Sequence, residues 1–506
     1  MKRVSALWTK DKVRSECRFH GESDPLIDGL AFHSKDCTPS VAFVAICGLH
    51  ADGHHYIQEA TDKGCRVIIH SKPLRRYHRE VLYIRHPNPR RVASSFAHML
   101  ASPLPPTIIG VTGTDGKSTT CDFLWQLLNT CGIRCGLLST VFMDDGSGKR
   151  PSPYRQSTPE VPELYAFLRR CHEHGVGTVV LETTSHGLSD QGARLADISF
   201  SGAIYTTLTS EHLEFHRDKE SYVDAKMNLA RQVVDSGWIV LSHDFSYLQR
   251  VSEESKMSVR LCTYALDDDP HGTELSGATL SAALSERTIF LVPSDDCCEQ
   301  DITIPYGDAC YAQNALAAIV ACKKATGLPW QTILTHAQAL QHVPGRFEIV
   351  NLGPPCTLVI DFAHTADAFQ KLFSHVRAHH GGRIIAVFGA AGERDRSKRF
   401  PMGMAAGSWC DSVYLTAEDP RGEDPEQILG DLEEGIRASG TLCTVTRIHD
   451  RRVAIAKALE EAAATDIVLL LAKGHETSIQ YPLGAIPWNE LEVAKELLAL
   501  RRDLHA

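Results

Sequence analysis

The sequence lacks both a long apolar run and a signal-peptide pattern. No apolar stretch among the 506 residues approaches the roughly 20 residues that a membrane-spanning helix needs. The longest runs, such as 467–472, have the length of buried strands. The first residues, Met1 to Ser5, continue into charged residues rather than into an apolar segment. We therefore predict a protein without membrane attachment.

Paired-cysteine motifs are also missing. The 16 cysteines are scattered, and none forms a C-x-x-C pair. A zinc site normally needs two closely spaced pairs of ligands, so the cysteines do not indicate one. We interpret them as reduced and mostly buried, which favours a cytoplasmic protein.

An excess of basic residues is the third feature that is missing. The chain has 52 Lys and Arg against 62 Asp and Glu, which makes a formal charge of −10. This balance disfavours nonspecific binding to nucleic acid, whose phosphates attract a basic surface. It does not exclude a small anionic ligand, because such a ligand needs only a few hydrogen-bond donors or positive charges at one site.

Proline- and glycine-rich segments divide the chain at two places. The first is 102–106, Ser-Pro-Leu-Pro-Pro, and the second is 342–346, His-Val-Pro-Gly-Arg. Each of the three resulting segments is long enough for its own core. Short apolar strands alternate with helical patterns in the second and third segments, which predicts parallel sheets covered on both faces. In such sheets ligands bind beyond the carboxyl ends of the strands.

A glycine-rich loop lies between a predicted strand, 107–111, and a predicted helix, 118–129. It reads Gly-Thr-Asp-Gly-Lys-Ser-Thr over residues 113–119. Its backbone N–H groups and the helix N-terminus suit phosphate oxygens, and Lys117 can reach the β- and γ-phosphates. The strict P-loop pattern is missed by one residue, since Gly110 stands six residues before Gly116. We predict a nucleotide site; the alternative is an unliganded turn with a solvated Lys117.

Two further segments combine acids with hydroxyls or histidines. Residues 182–187, Glu-Thr-Thr-Ser-His-Gly, follow an apolar strand, and 209–216 contain two histidines and two acids. Mg²⁺ prefers a few carboxylate oxygens together with waters and phosphates, so Glu182 is a candidate ligand. His212 is a second candidate, or it orients the substrate. Taken alone, the histidine-rich loop is more typical of a surface or satisfied core, and Lys226 of a helix surface.

Taken together, the motifs resemble the Mur ligases. The matching motifs occupy residues 113–118, 182–188, 212–216, 225–226, 314–315, 344–348, 361–365 and 473–476. They run in the family's order over almost the whole chain, and the sequence is most similar to the members that add the third amino acid of the peptidoglycan precursor. The resemblance implies an α/β fold with three domains. These are an N-terminal UDP-sugar domain over 1–105, a central P-loop parallel sheet for ATP over 106–343, and a C-terminal Rossmann-like amino-acid domain over 344–506.

The resemblance also implies a reaction between small molecules. ATP phosphorylates the terminal carboxylate of a UDP-muramoyl-dipeptide, and the amine of a diamino acid then attacks the acyl phosphate. Lys117, His212 and metal ions would screen the repulsion between the two anions. In the family the lysine at position 226 carries a carbamate formed with CO₂, which turns a cation into a metal ligand. The implied cofactors are ATP and Mg²⁺, and the implied metal ligands are Ser118, Glu182, His212 and the carbamate of Lys226.

The binding residues follow from matching positions. The implied ATP contacts are Gly113, Thr114, Asp115, Gly116, Lys117, Ser118, Asn314 and Arg346. The implied contacts with the UDP-sugar-dipeptide are Ser34, Leu49, His50, Ala51, Gln156, Ser157, Thr158, Thr184, Gln191 and Arg194. The sequence departs from the family at Thr184, where a serine is usual, and by two extra residues between Leu188 and Arg194. A monomer is expected.

The amino-acid site shows the largest departures. The implied contacts are Arg394, Glu418, Asp419, Pro420, Arg421, Ala472 and Glu476. Arg421 suits the distal carboxylate of meso-diaminopimelate. Asp419 in place of the usual Asn suits a terminal ammonium, as in lysine or ornithine. Ala472 in place of Gly narrows the space near the distal centre of the incoming amino acid. The sequence leaves both types of substrate possible. A third alternative is that Arg421 pairs with Asp419 or Glu423 and contacts no substrate.

Two other functions compete with this hypothesis. A folylpolyglutamate synthetase shares the P-loop and the lysine, but lacks a UDP domain such as the one that Ser34 and residues 48–53 indicate here. A nucleotide-dependent switch without ligase activity is the alternative from a different class. The presence of every expected catalytic position disfavours it.

Overall fold

The computed structural model describes residues 1–48, 51–154, 156–209, 216, 218–267, 278–285, 288–293, 300–303, 309–350 and 356–505. Leu49, His50 and His212, three of the predicted site residues, lie outside these ranges. The chain forms two compact units, of which the first contains Met1–Leu208 with Asp218–Leu340 and the second contains Gln341–Ala506. Among the helices of the described ranges, none combines the length and apolar character needed to cross a membrane.

The first unit begins with a five-stranded sheet. Its strand order is β2-β7-β6-β5-β4, with β4 to β7 parallel, while β1 and β3 form a separate pair. The strands are β1 (Lys2–Arg3), β2 (Arg18–His20), β3 (Leu26–Ile27), β4 (Gly29–Ala31), β5 (Val41–Val44), β6 (Val67–His70) and β7 (Leu82–Arg85). The helices are α1 (Asp11–Ser15), α2 (Ile57–Asp62) and α3 (Pro89–Ala101).

An eleven-stranded sheet completes the first unit. Its order is β11-β10-β9-β12-β8-β13-β14-β15-β16-β17-β18, and the seven strands from β9 to β16 in this order are parallel. The strands are β8 (Thr107–Thr112), β9 (Cys135–Leu138), β10 (Phe142–Asp144), β11 (Arg150–Pro151), β12 (Thr178–Glu182), β13 (Phe200–Tyr205), β14 (Val233–Ser242), β15 (Arg260–Asp267), β16 (Leu280–Ser285), β17 (Thr288–Pro293) and β18 (Gln300–Thr303). The helices are α4 (Lys117–Thr130), α5 (Val161–Glu173), α6 (Ser185–Leu188), α7 (Lys219–Arg231), α8 (Leu248–Glu254), α9 (Ala309–Thr326) and α10 (Trp330–Ala337).

The second unit is built on a six-stranded sheet of order β19-β20-β24-β21-β22-β23, in which only β19 is antiparallel to its neighbour. The strands are β19 (Glu348–Ile349), β20 (Thr357–Asp361), β21 (Ile384–Phe388), β22 (Ser412–Leu415), β23 (Thr444–Arg447), β24 (Ile467–Leu471) and the hairpin β25 (Ser478–Tyr481) with β26 (Gly484–Pro487). The helices are α11 (Ala366–His379), α12 (Arg399–Trp409), α13 (Pro425–Ala438), α14 (Arg451–Glu461) and α15 (Glu490–His505).

The hydrophobic pattern accounts for these sheets. Strands β21 and β24 are fully buried apolar runs, as expected for parallel strands covered on both faces. Two separate cores pack against this sheet, one containing Phe369 and Phe388 and the other Ile455 and Val468. The predicted α/β fold class with a parallel P-loop sheet is confirmed. The predicted domain boundaries at residues 105 and 343 stay predictions.

Candidate active site

The glycine-rich loop joins β8, in the middle of the large sheet, to α4. Its two glycines have positive φ angles, 151° at Gly113 and 82° at Gly116. A Cβ atom at Gly116 would lie 2.3 Å from Oδ1 of Asn314, and one at Gly113 would lie 1.8 Å from Oγ1 of Thr206. Only glycine fits at these positions, because the side chains of Asn314 and Thr206 pack directly against the backbone of the loop. The structure also brings Asn314, a predicted ATP contact, against the loop.

Side chains that the sequence analysis missed hold the loop in place. Thr206 Oγ1 donates to the carbonyl of Asp115 at 2.6 Å, and the backbone N–H of Thr114 donates to the carbonyl of Thr207 at 2.5 Å. The hydroxyls of Thr114 and Tyr222 lie 2.9 Å apart. Thr206 and Thr207 directly follow β13, the neighbour of β8, so the strand-end rule could have singled them out.

Glu182 ends β12, on the other side of β8, and is paired in register with Val111. Its buried carboxylate accepts hydrogen bonds from Ser118 Oγ at 2.9 Å, Thr140 N at 2.9 Å and Thr140 Oγ1 at 3.0 Å. A serine hydroxyl and a carboxylate in direct contact are hard oxygen donors of the kind that Mg²⁺ takes beside a nucleotide phosphate. The residues therefore fit the implied metal. Thr140 was missed, although it lies just beyond the end of β9.

Lys226 lies on the buried face of α7, with 2% of its surface exposed. The helix-surface interpretation is therefore wrong. Its Nζ donates to the carbonyl of Gly113 at 2.6 Å and lies 4.7 Å from the centre of the Tyr222 ring. Lys117, at the first position of α4, donates to the carbonyl of Thr114 at 2.6 Å. Both lysines thus donate to backbone carbonyls of the glycine-rich loop, Lys117 from within the loop segment and Lys226 from α7.

A layer of hydroxyl groups surrounds the backbone of Glu182. Thr158 Oγ1 donates to the Glu182 carbonyl at 2.8 Å and accepts from the Thr184 N–H at 3.0 Å. The hydroxyl oxygens of Ser157 and Thr140 lie 2.5 Å apart. Arg194 is buried and donates to the carbonyl of Thr158 at 2.7 Å. Four predicted contacts of the dipeptide are therefore assembled next to the predicted metal ligand.

The remaining predicted contacts with ATP and the UDP-sugar-dipeptide are distributed over both units. Ser34 is buried and donates to Glu59 at 2.8 Å, in the part of the unit that contains the five-stranded sheet. Ala51, Gln156 and Gln191 are exposed. Arg346 belongs to the second unit, where its guanidinium lies 4.5 Å from the ring centre of Phe362. The ligand roles of these residues stay predictions.

Two of the predicted amino-acid contacts of the second unit, Asp419 and Glu476, pair with a buried lysine. Lys473 Nζ donates to Asp419 at 2.9 Å and to Glu476 at 2.5 Å, and its side chain has no exposed surface. Burial alone would lower the pKa of Lys473, but the surrounding carboxylates outweigh this effect and raise the pKa. Burial and the neighbouring negative charges raise the pKa of the Glu476 carboxyl.

Glu418 adds a third carboxylate to this cluster. One oxygen each of Glu418, Asp419 and Glu476 lies within 4.8 Å of the other two. Arg421 Nη2 lies 3.5 Å from Asp419. The ion pair between Arg421 and Asp419, one of the alternatives from the sequence, is therefore present. Glu423 instead accepts from Arg399. Arg394 is exposed, and Pro420 is buried beside Asp419.

Three residues other than glycine in this region have left-handed backbone conformations. They are Glu393, with φ 54°, Arg421, with φ 54°, and Ala472, with φ 77°. This conformation costs a residue with a Cβ atom about 1–2 kcal/mol, because the Cβ approaches the following carbonyl oxygen. Ala472, which is predicted to narrow the amino-acid site, therefore also has backbone strain that a glycine at this position would not have.

We expect Ala472→Gly to leave the melting temperature unchanged or to raise it. Relief of strain contributes about 1–2 kcal/mol, and the greater backbone entropy of glycine in the unfolded chain opposes it by about 0.5–1 kcal/mol. As a control, Ala458→Gly removes a similarly buried methyl group from α14 and should lower the melting temperature of the same unit. Thermal unfolding of both variants tests this, and equal destabilisation would contradict it.

A glycine-rich loop after a central parallel strand, with a buried carboxylate at the end of the neighbouring strand, is typical of proteins that bind nucleoside triphosphates. Comparison with known families is more specific. Residues 111–322 match the Mur ligase middle domain, and residues 345–474 match the Mur ligase glutamate ligase domain.

Whole-chain relatives agree with these matches. The UDP-N-acetylmuramyl-tripeptide synthetase of Borreliella afzelii is 35% identical over 96% of both chains. The UDP-N-acetylmuramoyl-L-alanyl-D-glutamate–2,6-diaminopimelate ligase of Caldanaerobacter subterraneus subsp. tengcongensis is 32% identical, over 94% of this chain and 95% of its own. A solved structure of a ligase with the latter name has a TM-score of 0.61 and 26% identity, over 94% of this chain and 95% of its own.

The chain therefore belongs to the Mur ligase family, as its motifs predicted. It is an ATP-dependent acid–amino-acid ligase of peptidoglycan precursor synthesis. Its substrates are small molecules.

Proposed function

We propose that this ligase adds a diamino acid to UDP-N-acetylmuramoyl-L-alanyl-D-glutamate. The observation that carries the proposal is the carboxylate cluster of Glu418, Asp419 and Glu476 around Lys473, which suits an amino acid with a second ammonium group. The names of the relatives support the same substrate class. We place the reaction in the cytoplasm and expect a monomer to carry it out.

In the first half of the proposed reaction, the terminal carboxylate of the dipeptide attacks the γ-phosphorus of ATP, and ADP leaves. Lys117 offsets negative charge on the transferred phosphoryl group, and the loop backbone binds the phosphates. Mg²⁺, when bound, would be held by Ser118, Glu182 and a carbamate on Lys226, with His212 as a further predicted ligand, and would reduce the repulsion between the two anions.

In the second half, the neutral amine of the diamino acid attacks the acyl carbon. The tetrahedral intermediate expels phosphate, the nitrogen loses a proton, and an amide remains. Thr158, Thr184 and Arg194 would orient the dipeptide next to Glu182, and Ser34 and Ala51 would hold the UDP-sugar. Arg394 would bind the α-carboxylate of the incoming amino acid.

The charges at the amino-acid site favour lysine or ornithine over meso-diaminopimelate. Lys473 and Arg421 bring two positive charges against the three negative charges of the cluster, so one negative charge is uncompensated. The close contacts of Lys473 and Arg421 go to Asp419 and Glu476, and Glu418 makes no ion pair within 4.0 Å in the part of the chain that the structure describes, although its charge acts on Lys473. A distal ammonium would balance it, whereas the distal centre of diaminopimelate is neutral overall because it carries a carboxylate as well.

The test is turnover of lysine, ornithine and meso-diaminopimelate with the UDP-muramoyl-dipeptide. We expect the wild type to use lysine or ornithine best. Glu418→Gln should raise the KM for that amino acid about 10- to 150-fold, because a hydrogen bond to a charged group contributes about 1.5–3 kcal/mol. Asp419→Asn should act in the same direction, and diaminopimelate should be less affected or used better by both variants.

The matched control is Glu426→Gln, which removes a carboxylate of the same unit that pairs with Arg447 and His449 on the surface. It should leave all three KM values unchanged. Equal use of the three amino acids by the wild type, without a shift in either cluster variant, would show that this cluster does not select the substrate. Phosphate release that requires neither the dipeptide nor an amino acid would contradict the ligase assignment to this substrate.

A further inference from the structure

Three loops at the carboxyl ends of parallel strands contain all seven predicted amino-acid contacts. Loop A is 389–394 after β21, loop B is 416–423 after β22, and loop C is 472–477 after β24. Each contains one residue other than glycine with a positive φ angle. Strained loops keep such conformations only where surrounding contacts hold them. Two buried arginines hold these three loops in place.

Arg451, the first residue of α14, connects the beginnings of loops B and C through hydrogen bonds to the backbone there. Its guanidinium donates to the carbonyl of Leu471 at 2.8 Å and to that of Ala417 at 3.4 Å. Leu471 directly precedes loop C, and Ala417 lies one residue before Glu418. Strand β21 separates β22 from β24, so no strand hydrogen bonds join these two strand ends directly.

The charge of Arg451 is neutralised inside the protein. Its Nε donates to both carboxylate oxygens of Glu490, at 3.1 and 3.0 Å, and neither side chain has any exposed surface. Trp488 Nε1 donates to the same carboxylate at 2.5 Å. A buried ion pair of this kind keeps its geometry, because breaking one contact would leave a charge without water or a partner.

Arg399, the first residue of α12, connects loops A and B in the same manner. It donates to both carboxylate oxygens of Glu423, at 2.6 and 2.7 Å, and to the carbonyl of Ala391 at 3.1 Å. Glu423 also accepts from the N–H of Glu393 at 2.9 Å. The Arg399 side chain has no exposed surface, and Asp431 accepts a further hydrogen bond at 3.1 Å. The Arg399 guanidinium holds the pKa of the Glu423 carboxyl below its ordinary value.

We propose that Arg399 and Arg451 are positioning residues for the incoming amino acid. Arg399 fixes loop A against loop B, and Arg451 fixes loop B against loop C. Arg394, Asp419 and Glu476 are therefore held in their binding positions before the amino acid binds. The inference rests on the proposed function in assigning that ligand to the loops. The connection between the loops is independent of it.

Because each arginine serves a different pair of loops, its loss has a distinct signature. Lysine keeps the positive charge but cannot reach the same set of acceptors. In Arg451→Lys, the backbone amides of loops B and C should exchange hydrogen for deuterium about tenfold faster, and those of loop A should not change. In Arg399→Lys, loops A and B should exchange faster, and loop C should not change.

The control is Asp466→Asn, which removes the charge of a buried carboxylate that pairs with the half-exposed Arg383 at the opposite, amino ends of β21 and β24. It should leave the exchange of all three loops unchanged. If Arg451→Lys does not fold, Trp488→Phe removes one donor to Glu490 and should loosen loops B and C. Asp431→Asn serves in the same way for Arg399. Equal acceleration of all three loops in both arginine variants, or in the control, would overturn the proposal.

Kinetics provide the second readout. Both arginine variants should raise the KM for the amino acid at least about tenfold, with kcat and the KM for ATP changed less than about twofold, since misplaced binding groups weaken the contacts with that substrate. Parallel changes in every constant would also overturn the positioning role. If the wild type turned over no diamino acid, the proposed function would fail, while the exchange pattern would still decide whether the arginines join the loops.

Discussion

Replacing Lys117 by alanine is expected to abolish ligase activity while the protein still folds. Lys117 stands at the first position of α4, and its Nζ lies 2.6 Å from the carbonyl of Thr114 within the glycine-rich loop. The lysine thus lies where phosphates would approach the helix N-terminus, and its charge opposes the negative charge of the transferred phosphoryl group. Its loss should lower the rate of phosphate release by at least about 10³-fold.

Stability should change little, because within the described ranges the side chain makes that one hydrogen bond and contributes little to the core. The control is Lys256→Ala, which removes a half-exposed lysine of the same unit and should leave turnover unchanged. Measurements of phosphate release and of thermal unfolding on both variants test the predicted loss of activity and the predicted retention of stability. Turnover by Lys117→Ala close to that of the wild type would contradict the assignment of the loop as the ATP site.

The glycine-rich loop illustrates how much of this site the sequence predicts. The strand predicted over 107–111 is β8, and the helix predicted over 118–129 is α4. Both assignments rest on local patterns, namely an apolar run of strand length and helical spacing of apolar residues. The position of Glu182 next to the loop also follows, because β12 ends with it and the carboxyl ends of parallel strands share one edge of a sheet.

Contacts between segments far apart in the sequence could not be predicted in this way. The hydrogen bonds from Thr140 to Glu182 depend on β9 lying beside β12, and a crossover connection does not reveal which strands become neighbours. Similarly, Arg451 reaches the carbonyls of Ala417 and Leu471 only because α14 packs beneath two strands that are not adjacent. An arginine in a helical pattern gives no sign of such burial.

Lys226 shows how a tertiary contact changes the meaning of a local pattern. Taken with its neighbours in the sequence, it is an ordinary lysine of a helix surface. In the fold, α7 turns it towards the glycine-rich loop, where its Nζ lies 2.6 Å from the Gly113 carbonyl. The family resemblance pointed to this residue before the structure did, whereas composition and spacing alone did not.

Replacing Lys226 by alanine is expected to lower turnover roughly 10²- to 10³-fold, because two functions are lost together. The Gly113 carbonyl loses a buried hydrogen-bond donor, which affects the loop backbone. The proposed carbamate, a carboxylate-like ligand for Mg²⁺, is lost as well. The control is Lys219→Ala on the same helix, which removes an exposed lysine and should be fully active.

Added formate or acetate separates these two functions. Either anion can enter the space that the side chain leaves and supply a carboxylate oxygen, but neither can donate to the Gly113 carbonyl at neutral pH. Partial recovery of phosphate release by Lys226→Ala in the presence of these anions, without any effect of them on the wild type or on Lys219→Ala, would support the carbamate. A fully active variant would show that Lys226 contributes to neither function.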